Sequence, residues 1–291
     1  MERIVFALPG NEILAESIAT KLKADKGELV IRQFPDGESY IRIVSNVSGK
    51  EIILVCSMHQ PDDKFLPLYF VANKLKDSGA TKIILIAPYL AYMRQDKQFN
   101  QGEAVTSGYF AKLISSCVDE LITIDPHLHR THSMSEIYSI PCKVIHATVL
   151  ISDYIEKNIE NPLLIGPDSE SEQWVSEVAK DAKAPFIILN KMRKGDNEVE
   201  VSVPHVDLFK NHTPVIVDDI ISTAQTMIAT IGHLKNAGMK QPVCIGVHGI
   251  FANNAYLELL NSGVKEVITC NTIIHPSNKI QIDNIIADGI L

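Results

Sequence analysis

The sequence predicts an α/β fold of two similar domains, each a mainly parallel sheet flanked by helices. Three observations predict it. Short β-branched runs recur along the chain, each is followed by turn residues and a stretch with apolar residues at helical spacing, and the rhythm starts over near the middle. A length of 291 residues, at roughly 150 residues per domain, agrees with two domains.

In the first half, strands are expected at Ile4-Leu8, Ile52-Cys56, Ile83-Ala87, Leu121-Ile124 and Lys143-His146, with helical patterns at Glu12 to Leu22, Lys64 to Leu75 and Val105 to Val118. The second half offers strands at Leu163-Ile165, Phe186-Leu189, Val215-Val217, Val243-Val247 and Val267-Thr269. Its helical patterns run from Glu170 to Ala182, Thr223 to Asn236 and Ala252 to Leu260. A short helical pattern ending in the polar stretch Glu156 to Pro162 places the boundary near His146, giving domains 1–146 and 147–291. No repeat is visible at the level of residues. The charged stretch Lys191 to Asn197, followed by period-two alternation over Glu198 to Val203, reads as a mobile loop entering a short ribbon.

Composition narrows the function classes. Hydrophobic residues make up 46% and charged residues 21%, an ordinary globular balance. The 35 acidic side chains outnumber 27 basic ones for a net charge of -8, opposite to the footprint of a protein that neutralises nucleic-acid phosphates. Five cysteines without a C-x-x-C pair argue against a disulfide framework or thiolate zinc site and fit a reducing cytoplasm. The longest apolar stretch, Ile83 to Met93, is too short to span a bilayer and contains Pro88, so no membrane role is expected.

The sharpest motif runs from Val215 to Thr226. An apolar strand meets two adjacent carboxylates, Asp218 and Asp219, and a hydroxyl-rich turn, Ser222-Thr223-Ala224-Gln225-Thr226, then opens a helix. A helix N-terminus offers free N–H groups to an anion, and the acids could take the hydroxyls of a sugar, so a sugar phosphate fits. The alternative reading is a capping box in which Ser222 caps the helix and Gln225 completes it.

This segment resembles the phosphoribosyl-pyrophosphate loop of the type I phosphoribosyltransferase superfamily. Other segments resemble one branch of it, the phosphoribosyl-pyrophosphate synthetases, or ribose-phosphate pyrophosphokinases. Phe34-Pro35-Asp36-Gly37-Glu38 is similar to their adenine loop, and Tyr92-Met93-Arg94-Gln95-Asp96-Lys97 to their ATP loop. Asp125-Pro126-His127 is similar to their metal segment, Asn190-Lys191-Met192-Arg193 to their catalytic loop, and Thr272 to Ser277 to their C-terminal portion. The matches follow the family's order from residue 34 to residue 277. Two departures stand out: Ser169-Glu170-Ser171-Glu172 replaces a pyrophosphate cradle rich in small residues, and Gln225 replaces a glycine of the phosphate turn.

The resemblance implies a phosphoribosyltransferase-like fold and an enzyme that transfers the β,γ-pyrophosphoryl group of magnesium-ATP to the C1 hydroxyl of ribose 5-phosphate, giving phosphoribosyl pyrophosphate and AMP. Lys191 and Arg193 would be catalytic. Phe34, Asp36, Glu38, Arg94, Gln95, Asp96 and Lys97 would bind ATP, the first three reaching a neighbouring subunit of a homo-oligomer. Asp218, Asp219, Ser222, Thr223, Ala224, Gln225 and Thr226 would bind ribose 5-phosphate, and His127 with Asp168 would hold magnesium. Each has a plainer reading: a D-G hairpin turn at Asp36-Gly37, a core Phe34, and solvated charged loops around Arg94 and Lys191. His129 and His132 have no assigned role. A phosphoribosyltransferase, or a non-catalytic regulatory homologue, is the alternative.

Overall fold

The computed structural model describes residues 2–128, 133–167, 171–194, 198–202 and 206–290. The packing of the chain divides it into two units, one of Met1–Ile145 with Asp283–Leu291 and one of His146–Ile282.

The first unit contains β1 (Arg3–Ala7), α1 (Glu12–Leu22), β2 (Asp25–Lys26), β3 (Leu29–Gln33), β4 (Ser39–Ile43), β5 (Glu51–Val55), α2 (Pro61–Asp77), β6 (Lys82–Ala87), α3 (Thr106–Cys117), β7 (Glu120–Ile124) and β8 (Cys142–Ile145). Six strands form one parallel sheet in the order β2-β1-β5-β6-β7-β8. Ile52, Ile53, Leu54 and Val55 are all fully buried, because a parallel sheet covered by helices on both faces selects unbroken apolar runs. Each such side chain contributes about 1.5–3 kcal/mol relative to exposure. Helix α1 stops at Lys23, whose left-handed backbone turns its N–H back onto the carbonyls of Ala19 and Thr20. Helix α2 starts with Pro61, whose fixed φ suits the first helical turn and whose missing N–H leaves no bond unmade.

Strands β3 and β4 form a separate antiparallel hairpin, with Leu29 opposite Ile43 and Gln33 opposite Ser39. Its tip is a Phe34-Pro35-Asp36-Gly37 turn closed by the Gly37 N–H donating to the Phe34 carbonyl at 2.9 Å. Gly37 has φ +94, which a residue with a Cβ rarely adopts.

The second unit contains α4 (Thr148–Asn158), β9 (Pro162–Gly166), α5 (Glu172–Asp181), β10 (Phe186–Ile188), β11 (Asn190–Lys194), β12 (Glu198–Ser202), β13 (Thr213–Ile221), α6 (Gln225–Asn236), β14 (Val243–Gly249), α7 (Ala255–Asn261), β15 (Glu266–Cys270) and β16 (Asn278–Ile280). Its parallel sheet has the order β10-β9-β13-β14-β15-β16. Position by position, this is the order of the first sheet, so β13 occupies the place of β5 and α6 that of α2.

Three expectations change. The expected second domain, 147–291, includes residues that pack elsewhere: α8 (Asp283–Ile290) belongs to the first unit. It lies against α1 and β8, where Asp283 meets Ser17 and Lys21, and Lys143 donates to the Gly289 carbonyl at 2.5 Å. Strand β13 continues past Val217 through Ile221, because its ladder with β14 runs on to the pairs Ile220 with His248 and Ile221 with Gly249. Lys191 to Lys194 are not a loop ahead of the ribbon; they form its first strand, paired with Glu198–Ser202.

Candidate active site

Ligands of parallel α/β sheets bind beyond the carboxyl ends of the strands, and most of the expected site residues lie there in their own units. In the first unit, the segment after β6 is tied down at two points. The Tyr92 hydroxyl donates to Asp62 of α2, and the Tyr92 ring packs 4.8 Å from that of Phe110. Gln95 accepts the Thr106 hydroxyl at 3.0 Å, and its carbonyl accepts the Ser107 N–H at 3.3 Å. Between and beyond these anchors Met93 is buried, Asp96 is half-buried, and Arg94 and Lys97 are exposed. Gln95 is therefore engaged by α3, and Arg94 and Lys97 are exposed on the same braced segment, with the Lys97 ammonium 5.2 Å from the Phe99 ring centre.

After β7, Asp125 is buried with φ +32, and its N–H donates to the Ile145 carbonyl at 3.1 Å. This turn sets His127, half-buried, at the carboxyl edge. Its expected metal partner, Asp168, lies outside the described residues, as do His129, His132, Ser169 and Glu170. On the hairpin, Phe34, Asp36 and Glu38 are exposed; Phe34 stands edge-on to Tyr40 at 5.9 Å, and the Arg32 guanidinium lies 4.9 Å from its ring centre. Phe34 is thus not a core residue of its unit. The D-G turn is a true hairpin turn, so the plainer reading of that motif holds alongside its exposure.

In the second unit, Asp218 and Asp219 are half-buried within β13. Consecutive strand residues project to opposite faces, so the acids flank the strand. An Asp218 carboxylate oxygen accepts the Asp219 N–H at 3.0 Å. The turn then passes through Ser222, half-buried, and Thr223, exposed, to Ala224 at φ +58, which is the N-cap of α6.

The N-cap is Ala224 and not Ser222, so Ser222 does not stand at the capping position that the capping-box alternative gives it. Gln225 instead donates to Glu258 of α7 at 3.2 Å. The first bond within the helix runs from the Ile228 N–H to the Ala224 carbonyl at 2.9 Å. The N-terminal end of this 12-residue helix follows directly on Thr223 and carries Thr226 in its first turn. Lys191 and Arg193 sit two residues apart on β11, in register with Val201 and Val199.

Several residues at these edges escape sequence reading. Asp62 and Thr106 brace the segment after β6. Lys64, on the first turn of α2, lies with Nζ 2.8 Å from the Ser57 carbonyl and 2.9 Å from His59 Nδ1. Burial, with the Lys64 ammonium adding to it, lowers the His59 pKa to about 4. Only the helical placement of Lys64 is legible beforehand, since its contacts depend on the left-handed turn at Gln60.

The architecture is that of a phosphoribosyltransferase-type enzyme with two α/β units. A family model described as the N-terminal domain of ribose phosphate pyrophosphokinase matches residues 3–117, and one described as the phosphoribosyl transferase domain matches residues 133–283. A ribose-phosphate pyrophosphokinase from Sulfurisphaera tokodaii is 35% identical over 253 residues, 86% of each chain. Another, from Methanobrevibacter smithii, is 30% identical over 290 residues, 96% of each chain. The crystal structure of phosphoribosylpyrophosphate synthetase from Mycobacterium smegmatis, 24% identical, shares the fold with a TM-score of 0.88 over 100% of this chain and 98% of that one. The chain belongs to the ribose-phosphate pyrophosphokinase family, whose members are transferases.

Proposed function

We propose that the chain transfers the β,γ-pyrophosphoryl group of magnesium-ATP to the C1 hydroxyl of ribose 5-phosphate, releasing phosphoribosyl pyrophosphate and AMP. The observation that carries this reading is the braced segment after β6, which offers Arg94 and Lys97 from the first unit. A phosphoribosyltransferase that uses only the sugar-phosphate turn has no need of it.

The start of α6 with Ser222, Thr223, Ala224, Gln225 and Thr226 would hold the 5-phosphate, and Asp218 and Asp219 the ribose hydroxyls. Arg94, Gln95, Asp96 and Lys97 would hold ATP. Phe34, Asp36 and Glu38, exposed on the hairpin, would contact adenine in a neighbouring subunit of a homo-oligomer. Attack by the C1 oxygen on the β-phosphorus requires two substrates in line and stabilisation of phosphate charge more than proton transfer. Lys191 and Arg193 would supply that charge.

Magnesium, when bound, would neutralise the ATP phosphates and orient them. It keeps several waters and commonly takes only one or two protein groups besides substrate oxygens. A sparse set of His127 and Asp168 fits that habit. Cytoplasmic action fits the free cysteines, and none of the described helices is long and apolar enough to cross a membrane.

The test is to incubate the purified protein with magnesium, ATP and ribose 5-phosphate and separate AMP from ADP. Sugar-dependent AMP is expected. Formation of ADP instead, or no turnover beside base-dependent consumption of phosphoribosyl pyrophosphate, overturns the reading.

A further inference from the structure

The carbonyl of Ile221, at the end of β13, accepts two N–H groups, from Ile250 and from Phe251, each at 3.0 Å. The next carbonyl, Ser222, accepts the Ala252 N–H at 3.1 Å. Three backbone bonds therefore pin the start of the sugar-phosphate turn to residues 250–252, which follow β14. That partner loop is not a relaxed support. Phe251 has φ +48, a conformation unfavourable for a residue with a Cβ, so something beyond its backbone must hold it there.

Its ring supplies the hold. Phe251 is buried, and its edge fills the space that a Cβ on Gly249 would occupy, 2.6 Å from that position. On another side His275 lies 4.4 Å away, its ring tilted at 35°, and Tyr256 closes the cluster at 5.0 Å from Phe251 and 4.6 Å from His275. His275 is itself fixed by its other edge. Its Nδ1 accepts the Ser277 N–H at 3.2 Å, which makes that nitrogen the unprotonated one, and it lies 2.8 Å from the Ser277 hydroxyl. The Ser277 and Thr269 hydroxyls are 2.7 Å apart, and Asn278 donates to Thr269 at 2.9 Å. The chain of donors runs consistently from Asn278 and Thr269 through Ser277 to His275, and the backbone N–H of His275 donates to the Asn278 side chain at 2.9 Å.

We infer that His275 is a positioning residue for the ribose 5-phosphate site: its ring, oriented by Ser277, clamps Phe251 in a strained backbone conformation and thereby fixes the Ile221-Ser222 end of the sugar-phosphate turn. This deepens the proposed function and rests on the assignment of Asp218 to Thr226. His275 touches no substrate in this account. It acts through Phe251, and its effect falls on the sugar phosphate and not on ATP.

The test uses full-length protein carrying His275→Ala, His275→Phe or Ser277→Ala. Hydrogen exchange of the Ile250, Phe251 and Ala252 amides is followed without ligand, and ribose 5-phosphate and ATP are then titrated separately. In His275→Ala these amides should exchange faster, and affinity for ribose 5-phosphate should fall on the order of tenfold, as expected when a positioning contact is lost. ATP affinity should stay within about twofold. His275→Phe, which keeps an aromatic ring against Phe251 but loses the Nδ1 contacts with Ser277, should recover only part of the loss. Should His275→Ala not fold, Ser277→Ala removes a single oxygen and must show the same selective change. Unchanged exchange, or equal weakening of both substrates, overturns the inference. Failure of the unmodified protein to bind ribose 5-phosphate overturns the site assignment, and the exchange result then still decides whether His275 holds the turn.

Discussion

Asp283 accepts a hydrogen bond from the Ser17 hydroxyl at 2.6 Å, a contact spanning 266 residues of sequence that ties α8 to α1. The Lys21 ammonium approaches the same carboxylate at 3.2 Å. Burial pushes the Asp283 pKa up, but the Ser17 and Lys21 bonds, its own backbone N–H and the Lys21 charge outweigh it and leave the pKa lowered. A carboxylate with a lowered folded pKa adds stability above its ordinary value of about 4, and loses that contribution as pH falls through the folded value. Asp283→Ala should lower stability by about 1 kcal/mol near neutral pH and by progressively less in acid. Denaturant unfolding of both proteins across acid pH checks this; an equal difference at every pH would contradict it.

His59 should impose a second pH dependence. Its folded pKa of about 4 lies below its ordinary 6.5, because burial and the Lys64 ammonium disfavour the imidazolium. Between these values the unfolded chain binds more protons than the folded one. Stability is therefore complete above pH 6.5 and is lost as pH falls toward 4, by about 1–2 kcal/mol once solvent screening of a half-buried ring is allowed for. His59→Gln should flatten the melting-temperature profile in that window, and an unchanged slope would count against the assignment.

Ala224 holds φ +58 and ψ 4 at the N-cap of α6. The left-handed conformation costs a residue with a Cβ about 1–2 kcal/mol, and glycine gives back part of the gain through its freedom when unfolded. Ala224→Gly should therefore stabilise the protein by about 0.5–1 kcal/mol, raising the melting temperature by roughly 1–4 °C. A lower melting temperature would show that the Ala224 methyl packs more strongly than its backbone is strained.

Asp218→Asn with Asp219→Asn should weaken ribose 5-phosphate far more than ATP, since each lost charged hydrogen bond is worth roughly 1.5–3 kcal/mol. Independent titrations of the two substrates distinguish this from a general loss of the fold.

Lys191→Ala should reduce turnover on the order of 10²–10³-fold with smaller changes in either Michaelis constant, because its charge is assigned to the transition state. Arg193→Ala should behave similarly. Near-normal turnover in both would remove the ribbon from the chemistry.

The strands of the two sheets were legible because fully buried parallel strands leave unbroken runs such as Ile52 to Val55. The Asp36-Gly37 turn was legible because its chemistry is local. Where the reading fell short, a distant partner decides. Asp218 and Asp219 break the apolar run, which by itself ends at Val217, yet pairing with β14 carries β13 to Ile221. Ser222 has the composition of a cap, but the pinning of Ile221 and Ser222 to residues 250–252 moves the helix start to Gln225. The residues named for the sugar-phosphate turn lie together from the end of one strand to the start of the next helix, whereas the backbone bonds that pin its start come from residues 250–252, which no local pattern connects to it.

The packing of α8 with the first unit makes the second unit an insertion, entered after Ile145 and left before Asp283. On the ribosome, every residue of the second unit is made before the helix that completes the first. The later-encoded unit can thus finish folding first, while the earlier one waits, with the α1 surface around Ser17 uncovered, for Asp283–Ile290 to emerge.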